Sequence, residues 1–291
     1  EGNMNVAQDI FHNGDNDTAI RFTSDQFAFI TGNATRMVID NNSRISLSNN
    51  DSGTANTVFG YQAGNSIGSG DNYNVFIGHQ VADADMTNAT QNIGMGYQAL
   101  TALTEGDGNV AVGYSAGYTL TTSSQTVLIG NSAGLYINDN DAIGTVAIGT
   151  SALQALTSGV GNVAIGYQAL DAEDDGDYNT AIGHQALTAQ TGTTGTVANT
   201  AVGYQAGDAI TTGQRNTILG AFALSTSTDV DSVVCIGQGA MENGNATSDA
   251  DGTVAIGRNA LLSLTSGIGN VAIGYQALDA EDDGDHSTAI G

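Results

Sequence analysis

Along most of the chain, hydrophobic and polar residues repeat in a short pattern that closes on a glycine. Fourteen such glycines, here called anchor glycines, lie between Gly60 and Gly291, and most of the steps between them have the same length. The residue three positions before the anchor is always Val, Ile or Thr, and the residue directly before it is always large and apolar. This alternation with a period of two predicts one short strand, N-V-A-I-G, in every unit. The anchors are Gly60, Gly78, Gly96, Gly113, Gly130, Gly149, Gly166, Gly183, Gly203, Gly220, Gly237, Gly257, Gly274 and Gly291.

The residues after each anchor complete the unit. Commonly these are Tyr or His, then Gln or Ser, then Ala, then Leu or Gly, and we expect this Y-Q-A-L segment to form a second short strand after a bend at the glycine. The rest of each unit is rich in Asp, Gly, Asn and Thr, which are turn residues. Two short strands and two turns in about 17 residues predict one coil of a parallel β-solenoid, with like positions stacked ~4.8 Å apart. Asn stands four positions before nine of the fourteen anchors, and we expect it to form a side-chain ladder.

Long stretches of the chain are repeated almost letter for letter. The sequence NVAIGYQALDAEDDGD occurs at residues 162–177 and again at 270–285, and residues 144–183 match residues 252–291 at 33 of 40 positions. From Gly149 onward, groups of three units repeat as a larger block, first up to Gly203 and then up to Gly257. Such repetition indicates that one local structure is built many times.

Both faces of the predicted N-V-A-I-G strand look buried. We expect Val and Ile to line the interior of the coil and Ala to point the other way, since alternate residues of a strand face opposite sides. The Ala position is nearly always small and apolar, and no helical pattern is present to cover it, so we expect further copies of the chain to do so in a closed assembly. The residues assigned to the core and to contact between copies are Val163, Ala164, Ile165, Val271, Ala272 and Ile273.

The first fifty residues follow a different pattern and predict a small β domain. Apolar pairs alternate at Ile20/Phe22, Phe27/Phe29, Met37/Ile39 and Ile45/Leu47, with turns predicted at residues 13–17 and 41–43. We place this domain at residues 1–52 and the repeat shaft, of about 13 to 14 coils, at residues 53–291.

Charge excludes several kinds of partner. The chain carries 30 acidic residues, five arginines and no lysine, for a net charge of −25. Nucleic acids and anionic membrane surfaces need clustered cations, so neither is an expected partner. No run of about 18 apolar residues is present, so no membrane insertion is expected. The chain stops inside a repeat, and we expect it to be a fragment of a longer protein.

Candidate chemical sites are few, and no catalytic or cofactor-binding residue is predicted. The turn at residues 171–177 partly matches a calcium loop through Asp171, Glu173, Asp175 and Asp177, but Ile182 stands where a bidentate Glu is required. A solvated turn is the favoured interpretation, and weak Ca²⁺ binding is the alternative. We expect His79 and His184 to be surface residues in the column usually held by Tyr, and Cys235 to be a buried apolar residue.

The repeat N-[VT]-A-I-G-x-x-A-x resembles the head repeats of trimeric autotransporter adhesins, which also occur in bacteriophage tail fibres. The resemblance implies a left-handed parallel β-roll wound as a homotrimer. Residues 9–48 are similar to a segment frequent in phage tail-fibre proteins, although RISLS replaces the usual glycine-rich ending. The tail-fibre segment favours the phage setting over the adhesin.

The resemblance therefore implies a structural and adhesive fibre shaft in the virion. Expected partners are two further copies of the chain, neighbouring fibre or tail proteins, and a host-surface glycan or protein. The alternative is the head of a trimeric autotransporter adhesin on a bacterial outer surface. An enzyme is not expected, because glycosidic cleavage needs paired carboxylates on a broad face and the acidic residues lie in turns. Ice binding is not expected either, because the threonines Thr57, Thr180, Thr200, Thr217 and Thr288 fall in the column predicted to face inward.

Overall fold

The computed structural model describes residues 9–11, 14, 17–23, 26–40, 45–47, 55–138, 142–191 and 195–291. These residues form an antiparallel sheet near the N-terminus and a long parallel sheet made by the repeats. Helix is almost absent from them: one short 3₁₀ turn, Ser248–Ala250, is present. The protein is thus all-β, as the sequence pattern predicts.

Five antiparallel strands form the N-terminal sheet, in chain order. They are β1 (Asp9–Phe11), β2 (Ala19–Phe22), β3 (Gln26–Thr31), β4 (Ala34–Asp40) and β5 (Ile45–Leu47). All four predicted apolar pairs lie in strands. Between β3 and β4, Gly32 and Asn33 both have φ of 58°, which is the left-handed geometry of a two-residue hairpin turn. The predicted turn at 41–43, most of that at 13–17 and the predicted domain boundary at 52/53 lie outside the described residues.

Sixteen short strands follow. They are β6 (Thr57–Phe59), β7 (Val75–His79), β8 (Ile93–Tyr97), β9 (Val110–Val112), β10 (Val127–Ile129), β11 (Val146–Ile148), β12 (Val163–Ile165), β13 (Gly176–Asp177), β14 (Thr180–Ile182), β15 (Gly195–Thr196), β16 (Thr200–Val202), β17 (Thr217–Leu219), β18 (Val234–Ile236), β19 (Val254–Ile256), β20 (Val271–Ile273) and β21 (Thr288–Ile290). β13 pairs with β15, and the other fourteen form one parallel sheet in chain order.

The register of the parallel sheet confirms the β-solenoid predicted from the repeat length. Each N-V-A-I-G strand pairs with the same columns of the next coil, so that Val163 lies opposite Thr180 and Ile165 opposite Ile182. The short insertions that lengthen some units do not shift this pairing. Extra residues are therefore absorbed in the turns, and the columns read from the sequence are physical columns.

The predicted facing of the strand residues is wrong. Ala164 and most of its equivalents are fully buried inside the coil, whereas Val163 and Ile165 are only half-buried on the outside. The same holds for Ala272 between Val271 and Ile273. Alternation with a period of two assigns the residues to two faces of the strand, but it does not indicate which face lies inside the coil. The small cross-section of each coil decides it, because the interior has room for Ala opposite Leu but not for Val and Ile as well.

The Y-Q-A-L segment is not a second strand. It forms a turn in which Gln168 and Leu170 have left-handed φ of 52° and 51°, and the equivalent positions of other coils do the same. The hydrogen-bond ladder continues through it, because Gln168 N donates to Thr150 O of the preceding coil and Leu170 N donates to Ala186 O of the following one. Buried backbone groups are thus satisfied without extended geometry.

The core is a stack of three kinds of small or branched side chain. Ala164, Ala169 and Leu170 illustrate one coil: the strand Ala and the turn Ala and Leu are all fully buried. Phe76, Leu128, Ile218 and Cys235 replace the strand Ala in other coils and are also fully buried. Each such Leu or Ile contributes roughly 1.5–3 kcal/mol by burial.

The anchor column accepts only glycine. Anchor glycines have φ between 127° and 144°, a region closed to other residues. A Cβ on Gly166 would also lie 2.2 Å from the carbonyl oxygen of Gly183 in the next coil, well inside van der Waals contact. The glycines therefore let successive coils approach each other.

The buried asparagines four positions before the anchors clamp their coils to the next coil. Asn162 Nδ2 donates to Gly176 O (2.7 Å), and its Oδ1 accepts from Asn179 N (2.8 Å). The predicted ladder is thus present, but its bonds run mainly from side chain to backbone. The same pair of bonds is made by Asn56, Asn74, Asn92, Asn109, Asn199, Asn216 and Asn270.

Candidate interaction surfaces

The outward side chains of the parallel sheet form an apolar surface, here called the outer stripe. It consists of the residues three positions and one position before each anchor, and it crosses all fourteen strands. Every member is apolar or Thr, and none is charged. Several are well exposed, with Phe59 at 64% and Leu219 at 47%. A continuous apolar surface of this kind is typical of an interaction site.

The predicted packing residues divide between this stripe and the core. Val163, Ile165, Val271 and Ile273 belong to the outer stripe, while Ala164 and Ala272 belong to the core. The outward face of the strand is apolar because Val and Ile point outward, and not because Ala does. The sequence therefore distinguished the two faces of the strand but reversed which of them lies inside the coil.

The five threonines considered for ice binding also lie on the outer stripe, not inside the coil. Thr57, Thr200, Thr217 and Thr288 are exposed, and Thr180 is half-buried. Only Thr180, Thr200 and Thr217 follow one another in adjacent strands. The other column of the outer stripe, directly before each anchor, varies in size from Val to Phe. These threonines therefore do not form a regular flat row.

The residue directly after each anchor forms a second surface feature, here called the aromatic row. Tyr61, His79, Tyr97 and Tyr114 stack with ring centroids 5.1 to 5.2 Å apart. A second stack joins Tyr167, His184 and Tyr204 at 5.0 and 5.3 Å, and Phe222 packs edge-on against Tyr204. Both histidines are exposed, as predicted.

Glutamine ladders run beside the aromatic row. Gln80 donates to Gln62 and Gln98 donates to Gln80, each at 3.2 Å from Nε2 to Oε1. Gln168, Gln185 and Gln205 form a second ladder at 3.2 and 3.1 Å. Rings and amides are therefore both aligned at the strand spacing along this side of the coils.

The acidic turn at residues 171–177 is organised by a buried glutamate. Glu173 is fully buried, and its Oε1 accepts from Gly176 N (2.7 Å) and Asp175 N (3.3 Å). Its Oε2 accepts from Gln190 Nε2, and Gln190 Oε1 accepts from Asn199 Nδ2 (2.9 Å). Burial raises the pKa of the Glu173 carboxyl, and these hydrogen bonds oppose the rise.

The four calcium candidates are only partly brought together. Carboxylate oxygens of Glu173 and Asp175 lie within 4.8 Å of each other and of Asp174, which the sequence did not single out. Asp171 and Asp177 are not in this group: Asp171 Oδ2 accepts from Gln168 Nε2 (3.3 Å), and Asp177 Oδ1 accepts from Val160 N (2.7 Å) of the preceding coil. Both oxygens of Glu173 and one oxygen of Asp177 are thus occupied by structural hydrogen bonds.

Cys235 is fully buried in the core, as predicted. Its Sγ lies 3.3 Å from Met241 Sδ, and burial raises the pKa of its thiol. A thiol held in its protonated form is a poor nucleophile. Cys235 therefore serves as an apolar residue of the core.

Comparisons of the chain with known protein families, with curated proteins and with solved structures give no match. Among the described residues, no helix is long and apolar enough to cross a membrane.

Proposed function

We propose that this chain is the shaft of a homotrimeric fibre, and that the fibre is a phage tail fibre that holds a receptor-binding tip away from the virion and contacts the host surface. The observation that carries the proposal is the outer stripe, an uncharged apolar surface on a protein whose net charge is −25. Water-exposed apolar side chains along fourteen strands favour association.

A second and third copy of the same chain are the partners that fit this stripe. Only another solenoid with the same coil spacing matches it along its whole length. Closed symmetry then buries the stripe about one axis and leaves the acidic turns facing solvent, where salt screens their repulsion. The number three comes from the resemblance of the repeats to trimeric β-roll heads.

The fibre acts through stiffness and reach. The described coils are bonded to their neighbours through strand and turn hydrogen bonds, and many also through asparagine side chains, so bending the shaft breaks several bonds together. The segment at residues 9–48, with its resemblance to tail-fibre proteins, favours a phage fibre over a bacterial adhesin. Sequencing of the flanking coding regions tests this choice: a signal peptide and a C-terminal membrane barrel would identify an adhesin instead.

The assembly is tested by measuring the mass of the protein in solution by analytical ultracentrifugation. We expect three chains per particle. The variant with Ile165→Glu and Ile273→Glu places two charges per chain on the outer stripe and should sediment as a monomer. Thr212→Glu, on an exposed turn, is the matched control and should leave the trimer intact. A wild-type particle containing a single chain would refute the proposal.

A further inference from the structure

The aromatic row is interrupted at two coils between Tyr114 and Tyr167, and the glutamine ladder is interrupted at the same two coils and at Ser115. Both features are interrupted again after Gly220, where the row positions are Ala221, Gln238 and Arg258. After Tyr114, the next two residues of the aromatic row are Asn131 and Thr150, and the row resumes at Tyr167. The neighbouring ladder positions are Ser132 and Ser151 instead of Gln. The backbone ladder is unbroken here, because Ser132 N donates to Tyr114 O (2.8 Å) and Ser151 N donates to Asn131 O (2.9 Å). Small side chains on an intact backbone leave a depression, here called the notch.

The two tyrosines that bound the notch present ring faces to it. Tyr97 covers one face of Tyr114, with planes 9° apart, and His184 covers one face of Tyr167, with planes 27° apart. Their opposite faces are turned towards the notch. Tyr114 is accordingly 54% exposed, against 42% for Tyr97, which has rings on both sides. Inside the two stacks, ring faces are occupied by neighbouring rings, whereas Tyr61 ends the first stack and has a ring on one side only.

The notch is wide enough for two saturated rings. Three strand spacings separate the Tyr114 and Tyr167 rungs, which is about 14 Å. A ring stacked against each tyrosine at about 4 Å leaves room for both. The notch therefore fits a short chain of rings rather than a single flat group.

The floor of the notch is polar and uncharged. The side chains of Asn131 and Thr150 are exposed, and those of Ser132 and Ser151 are partly exposed. Ser132 Oγ donates to Asn131 Oδ1 (2.9 Å), which holds the amide in place. These groups offer both hydrogen-bond donors and acceptors.

This combination matches the chemistry of a neutral oligosaccharide. A pyranose has a face of C–H groups that packs on an aromatic ring and a rim of hydroxyls that hydrogen-bond to amides and hydroxyls. A nucleic acid would meet the field of a chain with net charge −25, and a cation finds no carboxylate among the six notch residues. We propose that the notch is a glycan-binding site that holds one sugar ring against each tyrosine. The biological role of this site rests on the proposed function: it would be the place where the fibre contacts a host-surface glycan.

Fluorescence anisotropy with labelled tetrasaccharides of glucose, galactose and N-acetylglucosamine tests the site. We expect saturable binding of at least one probe by the wild-type protein. Tyr114→Ala and Tyr167→Ala should each weaken it at least tenfold. Tyr275→Ala removes an exposed tyrosine of the same column outside the notch, beside Arg258, and should leave binding unchanged.

Filling the notch is the second test, and it does not depend on truncating a tyrosine. Asn131→Tyr combined with Thr150→Tyr continues the aromatic row, so we expect this variant to fold and to lose binding. The absence of saturable binding by the wild type, or wild-type binding by the filled variant, would overturn the site. Sedimentation of the same samples keeps the two proposals apart: a trimer that binds no probe refutes the notch alone, and a monomer that binds refutes the assembly alone.

Discussion

At the scale of single residues, the anchor glycines are under two separate constraints. Their φ values belong to a region that only glycine enters readily, and the space where a Cβ would lie is filled by the next coil. Some other left-handed positions of the coil have φ values that residues other than glycine also adopt. At the position five residues before the anchor, for example, Gln125 and Ser232 both adopt φ of 59°.

Gly166→Ala should therefore destabilise the protein by about 3 kcal/mol or more. Gly144→Ala is the matched control, because Gly144 has φ of 74° but no atom within 4 Å of the place that a Cβ would occupy. We expect it to cost about 1 kcal/mol. Urea unfolding followed by circular dichroism measures both, and equal losses would show that contact between anchors does not matter.

Glu173 and Gln190 form a polar pair where other coils place Leu or Ile in the core. Leu156 and Ile210 occupy the same position in the coils on either side of the pair, and both are fully buried. The pair keeps its groups hydrogen-bonded, but burial holds the pKa of Glu173 above its ordinary value of 4.5. The folded state therefore binds a proton more tightly than the unfolded chain.

This raised pKa predicts a specific pH dependence. The contribution of Glu173 to the free energy of unfolding is greatest below pH 4.5 and decreases as pH rises through its folded pKa. The double variant Glu173→Leu, Gln190→Leu restores the apolar column and should lose this decrease, which unfolding midpoints between pH 4 and 8 would detect. Asp282→Asn removes one exposed charge and should keep the wild-type slope. Identical slopes in the wild type and the double variant would contradict the prediction.

At the scale of the strand and turn, the asparagine clamp distinguishes coils that are otherwise alike. Asn162 makes two buried hydrogen bonds to the next coil, whereas Thr253 in the same column has a buried hydroxyl with no partner. The local strength of the shaft therefore follows the distribution of Asn in this column.

Asn162→Ala should lower the free energy of unfolding by about 2 to 4 kcal/mol, because it leaves Gly176 O and Asn179 N buried without partners. Thr253→Asn should raise it by about 1 kcal/mol, because the new side chain can reach Asn270 N and Gly267 O as its equivalents do. Hydrogen exchange of the Asn179 and Asn270 amides provides the local measurement. Loss of stability in Thr253→Asn would show that the clamp cannot be transferred.

The strands and their register were predictable from the sequence, because identical columns at a fixed period leave one way to stack. The inward and outward faces were not, because apolar residues occupy both sides and only the volume inside the coil separates them. The Y-Q-A-L segment was wrongly predicted to be a strand for a related reason. Its alternation of polar and apolar residues comes from a turn in which every second residue has a left-handed backbone. One sequence signal did point to this left-handed geometry. In several coils the Leu of the turn is replaced by a glycine, at Gly64, Gly117, Gly134 and Gly207.

The surfaces were predictable only in part. The sequence identified the aromatic column and its histidines, since a column is visible in any aligned repeat. The sequence does not indicate which ring faces are covered, because this depends on the distances and angles between stacked rings. The burial of Glu173 was likewise hidden, because its turn reads as a run of solvated acids until the side chain is seen to fold back onto Gly176 N.

At the scale of the whole molecule, the solenoid should tolerate the loss of complete coils. Deleting residues 204–257 removes three whole coils and joins Gly203 to Arg258. Asn199 then meets Gly267 and Asn270 in place of Gly213 and Asn216, so every column is preserved. We expect a folded protein whose shaft is about 14 Å shorter by small-angle X-ray scattering.

Deleting residues 204–249 instead removes a length that is not a whole number of coils. Anchor glycines then no longer meet, and we expect loss of cooperative unfolding. Equal behaviour of the two deletions would show that column register does not govern folding.

The near-identical blocks at residues 144–183 and 252–291 have a genetic consequence. Recombination between the DNA segments that encode them adds or removes coils in whole numbers, and each product retains a stackable register. Related lineages should therefore carry solenoids of stepped lengths, so that length can evolve by unequal crossing-over without the invention of a new fold.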